Sequence, residues 1–365
     1  MEALVNPCWQ GRRVLVTGHT GFKGSWLALW LHAMGAKVTG FALPPPTDPS
    51  LFEAARLANL VDHVEGDVRD FTALRAVVER ARPEVIFHLA AQPLVRLSYD
   101  QPIETYAANV MGTVHLLEAA RLTGGVKSIV CVTSDKCYEN REWDWPYRET
   151  DPMGGHDPYS SSKGCAELVV AAWRRSYFGT ADAPLLASVR AGNVIGGGDW
   201  AADRLVPDLV RAFEAGVAPL IRAPDAVRPW QHVLEALGGY IMIAERLLAG
   251  ERRFADAWNF GPADEDARPV RWIVDRMRAG WREGAPQPAL DASPRPHEAG
   301  LLRLDCARAR AALGWRPALD LGQAIRWIVD WHKAVAAGED ARRVTLDQIA
   351  HYAALSAGTR NAAAA

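Results

Sequence analysis

The sequence predicts an α/β fold: a doubly wound, parallel, Rossmann-type sheet with a smaller mixed α/β lobe for binding substrate. Three observations carry it. Short apolar runs alternate with helical patterns from residue 12 to residue 134, and alternation with short connections builds a parallel sheet. A three-glycine loop, Gly18, Gly21 and Gly24, stands where a strand turns into a helix. Thr133-Ser134-Asp135-Lys136-Cys137-Tyr138 ends the apolar run 128–132, at the carboxyl edge where open α/β sheets bind ligands.

The elements follow in order. Residues 13–17 read as a short strand, and a helix runs from the glycine loop to residue 34. A second strand, 37–43, ends at Pro44-Pro45-Pro46. A helix over 51–60 leads to a strand at 62–65 and to Gly66-Asp67-Val68-Arg69-Asp70; another helix runs to residue 82. Strands at 85–90 and 128–133 flank a long helix, 103–121. Pro158 opens the helix that carries Tyr159 and Lys163, and 185–190 is a sixth strand. Beyond it the chain becomes loop-rich, with a helix starting at Pro207 and a short strand at 220–222. Residues 234–248 and 257–261 return to the main sheet as helix and strand, while 270–281, 301–313 and 321–336 complete the lobe. The expected organisation is a dinucleotide-binding domain over 1–191, to which 234–261 returns, an interleaved lobe over 192–350, and a tail over 351–365. The Ala-rich end from 358 reads as frayed.

Composition bounds the function. The 365 residues are 49% hydrophobic and 23% charged, which supports a sizeable core and argues against disorder. A net charge of −2 gives no support to nucleic-acid or membrane attraction. No apolar stretch reaches about 18 residues, so no spanning helix is expected. No basic-plus-apolar leader is visible. The five cysteines form no Cys-x-x-Cys pair, and their odd number fits a reducing, cytoplasmic setting. The ten histidines show no metal-ligand spacing, so no metal is expected.

The glycine loop spaces as G-x-x-G-x-x-G. Its backbone amides and the helix amino end can hold a pyrophosphate; the plainer alternative is a tight turn with close helix packing. Asp67 and Val68 stand where an adenine could meet a carboxylate and an amide. The small residues of Leu89-Ala90-Ala91 let a cofactor lie against the backbone. Asn109 is either an exposed polar residue or a bridge that holds the end of the fourth strand. Tyr159 and Lys163, four apart, share one helix face. An ammonium near the phenol would pull its pKa down from about 10, making Tyr159 a general base.

Together, Thr17-Gly18-x-x-Gly21-x-x-Gly24, Asp67-Val68, His88-Leu89-Ala90-Ala91, Asn109 and the Tyr159–Lys163 pair resemble the extended short-chain dehydrogenase/reductase superfamily, over residues 11 to 331. Stretches 17–26, 92–99, 133–140, 159–167, 190–200 and 228–233 narrow the resemblance to nucleotide-sugar 4,6-dehydratases, and among these to the CDP-glucose subgroup. Arg190-Ala191-Gly192-Asn193-Val194-Ile195-Gly196-Gly197-Gly198-Asp199-Trp200 is the most distinctive run.

The resemblance implies C4 oxidation, water loss across C5–C6 and C6 reduction, with NAD bound throughout. Tyr159 would take the C4 hydroxyl proton, Lys163 would hold the nicotinamide ribose, and Ser134 would bond the C4 oxygen. Asp135 would protonate the leaving C6 hydroxyl, and Lys136 would stand where other dehydratases place a glutamate as C5 base. Gly18, Thr20, Gly21, Phe22, Lys23, Gly24, Asp67, Val68, Leu89, Ala90, Ala91, Asn109 and Thr133 would join Tyr159 and Lys163 around the cofactor. Arg228 would grip the substrate pyrophosphate, with Asn193, Arg222, Gln92 and His297 also on the substrate. The resemblance also implies a homodimer or larger assembly through helices 103–121 and 159–177.

One departure matters. The ribose-binding carboxylate usually follows the second strand, about 20 residues past the glycine loop. Here Gly40-Phe41-Ala42-Leu43 has no Asp, Glu or Arg, so NAD is expected to be held loosely, and the residues alone do not exclude NADP. The alternatives are a dehydratase for another nucleotide sugar, a 4-epimerase and a non-catalytic redox sensor. An epimerase needs neither acid nor C5 base, so Asp135-Lys136 counts against it. A sensor would have lost Tyr159 or Lys163.

Overall fold

Side chains alternate across a strand, and each central strand here feeds two cores. In the computed structural model, which describes residues 4–291 and 300–364, β1 (Arg13–Thr17) sends Val14 and Val16 to one face and Leu15 to the other. The first face packs under α1 (Phe22–Ala33) and the second under α2 (Phe71–Ala81) and α3 (Gly112–Thr123). β2 (Lys37–Ala42), β3 (Asp62–Glu65), β4 (Val85–His88), β5 (Ser128–Val132), β6 (Leu185–Ala191) and β7 (Ala257–Phe260) complete the sheet. Its order is β7-β6-β5-β4-β1-β2-β3, every neighbour parallel. The order reverses between β1 and β4, which places a ligand crevice at their carboxyl ends.

α4 (Pro158–Ser176) lies on the face of α3. Between β6 and β7 the chain leaves the sheet and comes back. It first builds α5 (Leu205–Ala215), then returns along α6 (Val233–Leu248). α7 (Val270–Trp281) and α8 (Leu321–Ala336) pack with α5 through Leu209, Phe213, Ile273, Met277, Ile325 and Ile328, a core of their own. Among the described residues three two-stranded ribbons stitch this lobe, one of them Val227–Pro229 antiparallel to Ala267–Pro269.

Several elements differ from expectation. The helix over 51–60 breaks at Arg56, whose φ is +51°, into Leu51–Ala54 and a 3-10 turn. The long helix 103–121 contains a π-turn, Ala107–Met111. α5 starts at Leu205, with Pro207 inside its first turn, where its missing N–H costs nothing. Residues 301–313 turn helical only at Ala307. The expected tail is instead α9 (Ala341–Ala364). Ile349 and Tyr352 bury its inner face, and the Tyr352 hydroxyl donates to Glu235 at 2.9 Å.

The core also dictates acid sensitivity. His19, His88, His232 and His332 are buried. Withdrawal from water holds the first three down at about 3 and His332 at about 4; His63 adds to the effect on His19 and Lys163 to that on His88. Their folded pKa values lie below the unfolded value, so their stabilisation is complete above pH ~6.5 and disappears as pH falls toward 3–4. The four together approach a slope of ~5 kcal/mol per pH unit. Buried Glu235, raised to about 7, opposes them, losing stabilisation as pH rises through 4.5–7, and the raised carboxyls of Asp135, Glu149, Asp208, Glu214 and Asp266 act in its sense, yet the four imidazoles begin to titrate in the unfolded chain already at pH ~6.5. The urea midpoint should therefore fall steeply between pH 7 and 5.5. An unchanged midpoint would contradict neutral burial of these imidazoles.

Candidate active site

The site begins where β5 runs out. Ser134 caps the turn that follows: its Oγ accepts from the Lys136 N–H at 3.2 Å and donates to Asp135 Oδ1 at 3.0 Å. Asp135 is 2% exposed, and its Oδ2 has no hydrogen-bond partner among the described residues. Burial raises its pKa, against the opposing pull of Lys136, Ser134 and Arg228. Gly192 makes the room: a Cβ there would lie 2.0 Å from Asp135 Oδ2. Lys136 is half-buried at the same edge.

α4 delivers the second half. Asp157 caps it by accepting from the Ser160 N–H at 2.9 Å, and Pro158 takes the first helical position. One face then presents Tyr159 and Lys163, both buried. The expectation that Lys163 lowers the Tyr159 pKa is corrected. Lys163 Nζ donates to the Val132 carbonyl at 3.5 Å and sits 6.0 Å from the Tyr159 ring centroid. Burial pushes Tyr159 up to about 12, with its hydrogen bond to Ser134 pulling back. Burial likewise pushes Lys163 down to about 8, opposed first by Glu167.

Sequence reasoning gave Glu167 no role. It accepts from Thr133 Oγ1 at 2.5 Å, Ser188 Oγ at 2.7 Å, and Arg190 Nε and Nη2 at 2.9 and 2.8 Å. Arg190 Nη1 continues to the Tyr138 hydroxyl at 2.7 Å. This buried network ties α4 to β6 and to the end of β5, behind the reacting groups. The spacing Tyr159, Lys163, Glu167, four and four on one face, was the available signal.

The three glycines separate into two kinds. A Cβ at Gly18, where φ is +76°, would lie 2.7 Å from the Ala90 nitrogen, and one at Gly24 would lie 2.1 Å from the Gly18 oxygen. Both are demanded by the chain's own packing. A Cβ at Gly21 would meet only the Gly18 oxygen, at 3.5 Å, so its missing side chain leaves a cradle open. Beside it the amino end of α1 carries no side-chain cap and no acid in its first turn. Open amides beside an empty cradle fit a pyrophosphate.

The other cofactor candidates spread along the same crevice. Thr20 is buried and donates to the Leu43 carbonyl at 2.9 Å. The Phe22 ring packs beside Gly196, where a Cβ would lie 2.9 Å from its Cζ. Lys23 lines the cleft, its amine lowered to about 7 by desolvation, then by Lys163. Leu89, Ala91 and Thr133 line it too, and the Ala90 N–H donates to Thr17 Oγ1 at 3.2 Å. Val68 is buried under Gly112. Asp67 accepts from the Arg69 N–H and Nε, each at 2.8 Å. Desolvation raises it, but those bonds win and hold it below the usual carboxylate range.

Asn109 sits in the π-turn. Its Oδ1 accepts from the Gln92 N–H at 2.8 Å, while Nδ2 donates to the Gln92 carbonyl at 3.1 Å and to Ser162 Oγ at 2.8 Å. Gln92, expected on the substrate, is not among the residues that line the cleft. Its side chain donates to the Leu94 carbonyl and Thr105 Oγ1 and accepts from the Leu94 N–H. With both ends of the amide engaged, it braces the loop.

The cleft measures about 510 Å³ and runs from this edge to the lobe. Lys23, Ser134, Asp135, Lys136, Tyr159 and Lys163 line one side, and Asn193, Arg222 and Arg228 the other. Asn193 has φ +34°. Arg228 is buried, its Nη1 donating to the Val227 and Gly300 carbonyls at 3.0 and 3.1 Å. Arg222 Nη2 donates to Asp203 Oδ1 at 2.5 Å. His297 lies outside the described residues. Among the described residues no group of three or more His, Cys, Asp or Glu could hold a metal ion, and no helix is long and apolar enough to cross a membrane.

A phenol, three amines and a protonatable carboxyl thus converge on one cleft beside a dinucleotide cradle. Known proteins are similar to this chain in sequence and fold. The chain is 57% identical over 356 residues to the CDP-glucose 4,6-dehydratase of Salmonella typhimurium strain LT2, covering 96% of this chain and 98% of the relative. It is 30% identical to the UDP-glucose 4-epimerase of Mycolicibacterium smegmatis, covering 88% and 98%. A solved dTDP-glucose 4,6-dehydratase from Bacillus anthracis, in complex with NAD, has the same fold, with a TM-score of 0.74, 20% identity, and 91% of this chain and 100% of that one covered. The family model described as GDP-mannose 4,6 dehydratase matches residues 15–328. With that match over most of its length, the chain belongs to the GDP-mannose 4,6-dehydratase family, within the short-chain dehydrogenase/reductase fold.

Proposed function

We propose that the protein converts CDP-glucose to CDP-4-keto-6-deoxyglucose, with NAD as its cofactor. The observation that carries this is Asp135: a buried carboxyl with an unpartnered oxygen, in one cleft with Tyr159 and Lys136. A 4-epimerase has no use for such an acid. The similarity to the Salmonella enzyme supports the choice of CDP-glucose. Gly18, Gly21, Gly24 and the α1 amino end would hold the NAD pyrophosphate, and Lys163 the nicotinamide ribose. When bound, NAD supplies the hydride acceptor at C4 and the donor at C6.

The side chains do the rest. As the phenolate, which the nicotinamide cation of bound NAD would favour against the burial that raises the phenol, Tyr159 takes the C4 hydroxyl proton, and Ser134, bonded to it, holds the C4 oxygen. The new ketone acidifies the C5 proton, so elimination follows oxidation. Lys136 removes that proton, and Asp135, whose burial favours the protonated form, gives its own to the departing C6 hydroxyl. Arg228, Arg222 and Asn193 face the diphosphate. Separate incubations with CDP-glucose, UDP-glucose and dTDP-glucose test the reading. A 4-keto-6-deoxy product should form from CDP-glucose; epimerised hexose, or product only from another nucleotide, would overturn it.

NAD should be held loosely. The end of β2 carries no carboxylate: Gly40 lies under His19, where a Cβ would be 2.3 Å from His19 Cδ2, and His19 Nε2 pairs with His63 Nδ1 at 2.7 Å. A missing charge-assisted hydrogen bond weakens binding by about 1.5–3 kcal/mol. Dialysis should strip the cofactor and added NAD should restore turnover; stoichiometric NAD surviving dialysis, or faster turnover with NADP, would refute this.

The protein should also be at least a dimer. Ile103, Leu122, Leu168 and Tyr177 are 79, 44, 61 and 50% exposed on or beside neighbouring helices of one flank. Two-fold pairing of that flank would cover them. Sedimentation at micromolar concentration should give twice the 39.9 kDa chain mass or more, and a monomer would exclude the pairing.

A further inference from the structure

The outer end of the cleft ties Arg222 to two residues with no part in the chemistry above, Asp203 and Arg96. Asp203 follows the Trp200 loop with φ +60°, a conformation aspartate tolerates better than most residues. Its Oδ1 accepts from Arg96 Nη1 at 3.1 Å and from Arg222 Nη2 at 2.5 Å. Arg96 belongs to the helix Val95–Asp100, on the sheet side just past β4. Arg222 follows the strand Leu220–Ile221 of the lobe. One carboxylate oxygen therefore ties the two walls of the cleft together.

All three residues line the cleft. Their side chains are 42, 42 and 26% exposed for Arg96, Asp203 and Arg222, so a solute can reach them. The next acid, Asp208, is 3.9 Å from Arg222 and already holds Arg211. Asp203 is thus the principal anion between two guanidiniums. Guanidinium forks match phosphate oxygens as well as carboxylates, and a diphosphate brings more charge and more acceptors than one carboxylate.

We propose that Asp203 is an internal stand-in for the substrate diphosphate: it holds Arg96 and Arg222 across the cleft mouth and surrenders them when a nucleoside diphosphate enters. This rests on reading the cleft as a nucleotide-sugar site, and it adds Arg96 as a ligand and Asp203 as a competitor. The arginines are ordered in advance, which lowers the entropy lost on binding. The competition also keeps affinity moderate, so the product can leave.

The test titrates CDP, UDP, GDP and dTDP calorimetrically into the full-length protein and its variants. Asn at position 203 keeps the left-handed backbone and removes the charge. Asp203→Asn should bind the preferred nucleotide about 5-fold more tightly. Arg96→Ala should bind it about 10-fold more weakly, and adding Asp203→Asn to Arg96→Ala should recover much less than 5-fold. Unchanged or weaker binding by Asp203→Asn makes Asp203 a plain structural brace and overturns the proposal, as does an Arg96→Ala variant that binds like the wild type. A wild type that binds none of the four nucleotides removes the functional reading itself and the clasp with it.

Discussion

Replacing Tyr159 with phenylalanine is expected to reduce turnover by about 100- to 10,000-fold, the usual cost of a lost acid–base group. The ring stays, so the packing of α4 against β5 is preserved and no cavity opens. What goes is the hydroxyl that bonds Ser134 and that the proposed mechanism uses at C4. Proton removal and C4 oxidation occur together, so neither the 340 nm absorbance of reduced nicotinamide nor the keto product should form. Lys163→Ala should resemble it in rate but not in cause. That change removes the ammonium donating to the Val132 carbonyl, takes from Glu167 a buried cation that interacts with it, and should weaken NAD binding as well. A Tyr159→Phe variant that retains a folded circular dichroism spectrum and turns over within tenfold of the wild type would exclude Tyr159 as the base.

The sheet was legible because burial on both faces writes near-continuous apolar runs, such as Ser128-Ile129-Val130-Cys131-Val132. The helices that failed to match did so for local reasons. Arg56 enters the left-handed region only because the fold demands a turn there. The π-turn at Ala107–Met111 exists where Asn109 must reach Gln92 and Ser162, a tertiary requirement with no signature in periodicity. α9 hid behind its alanines, which read as low complexity. Alanine is also the best helix former, and Ile349, Tyr352 and Thr345, which accepts from Trp331 Nε1 at 3.0 Å, anchor it.

The site divides in the same way. Residues named by strand-end or helix-face position, Ser134, Asp135, Lys136, Tyr159 and Lys163, line one cleft. Whatever depends on a side chain's final direction was out of reach. Lys163 turns to a carbonyl, and the Gln92 amide turns into its own loop. Gly192 looks like one more loop glycine until the oxygen 2.0 Å from its absent Cβ is identified as Asp135 Oδ2.

The second large effect should come from the strand end and should look different. Asp135→Asn and Lys136→Ala ought to pass C4 oxidation and stop afterwards, because the proposed mechanism uses both groups at C5 and C6. Asparagine fills the space of the buried carboxyl but has no proton to give; alanine removes the amine outright. Each should slow the overall reaction by about 100- to 10,000-fold, yet a single turnover with excess enzyme should build 340 nm absorbance that persists. Deuterated water separates the two. With Asp135→Asn the C5 proton should still exchange, since Lys136 remains; with Lys136→Ala it should not. If Lys136→Ala exchanges C5 at the normal rate, Lys136 is not the base, and its role is electrostatic. Its charge opposes the burial that raises Asp135. Removing it would then raise the Asp135 pKa further and extend the protonated acid toward higher pH. The basic limb of the elimination rate would move upward with C5 exchange intact, an outcome the base role does not produce.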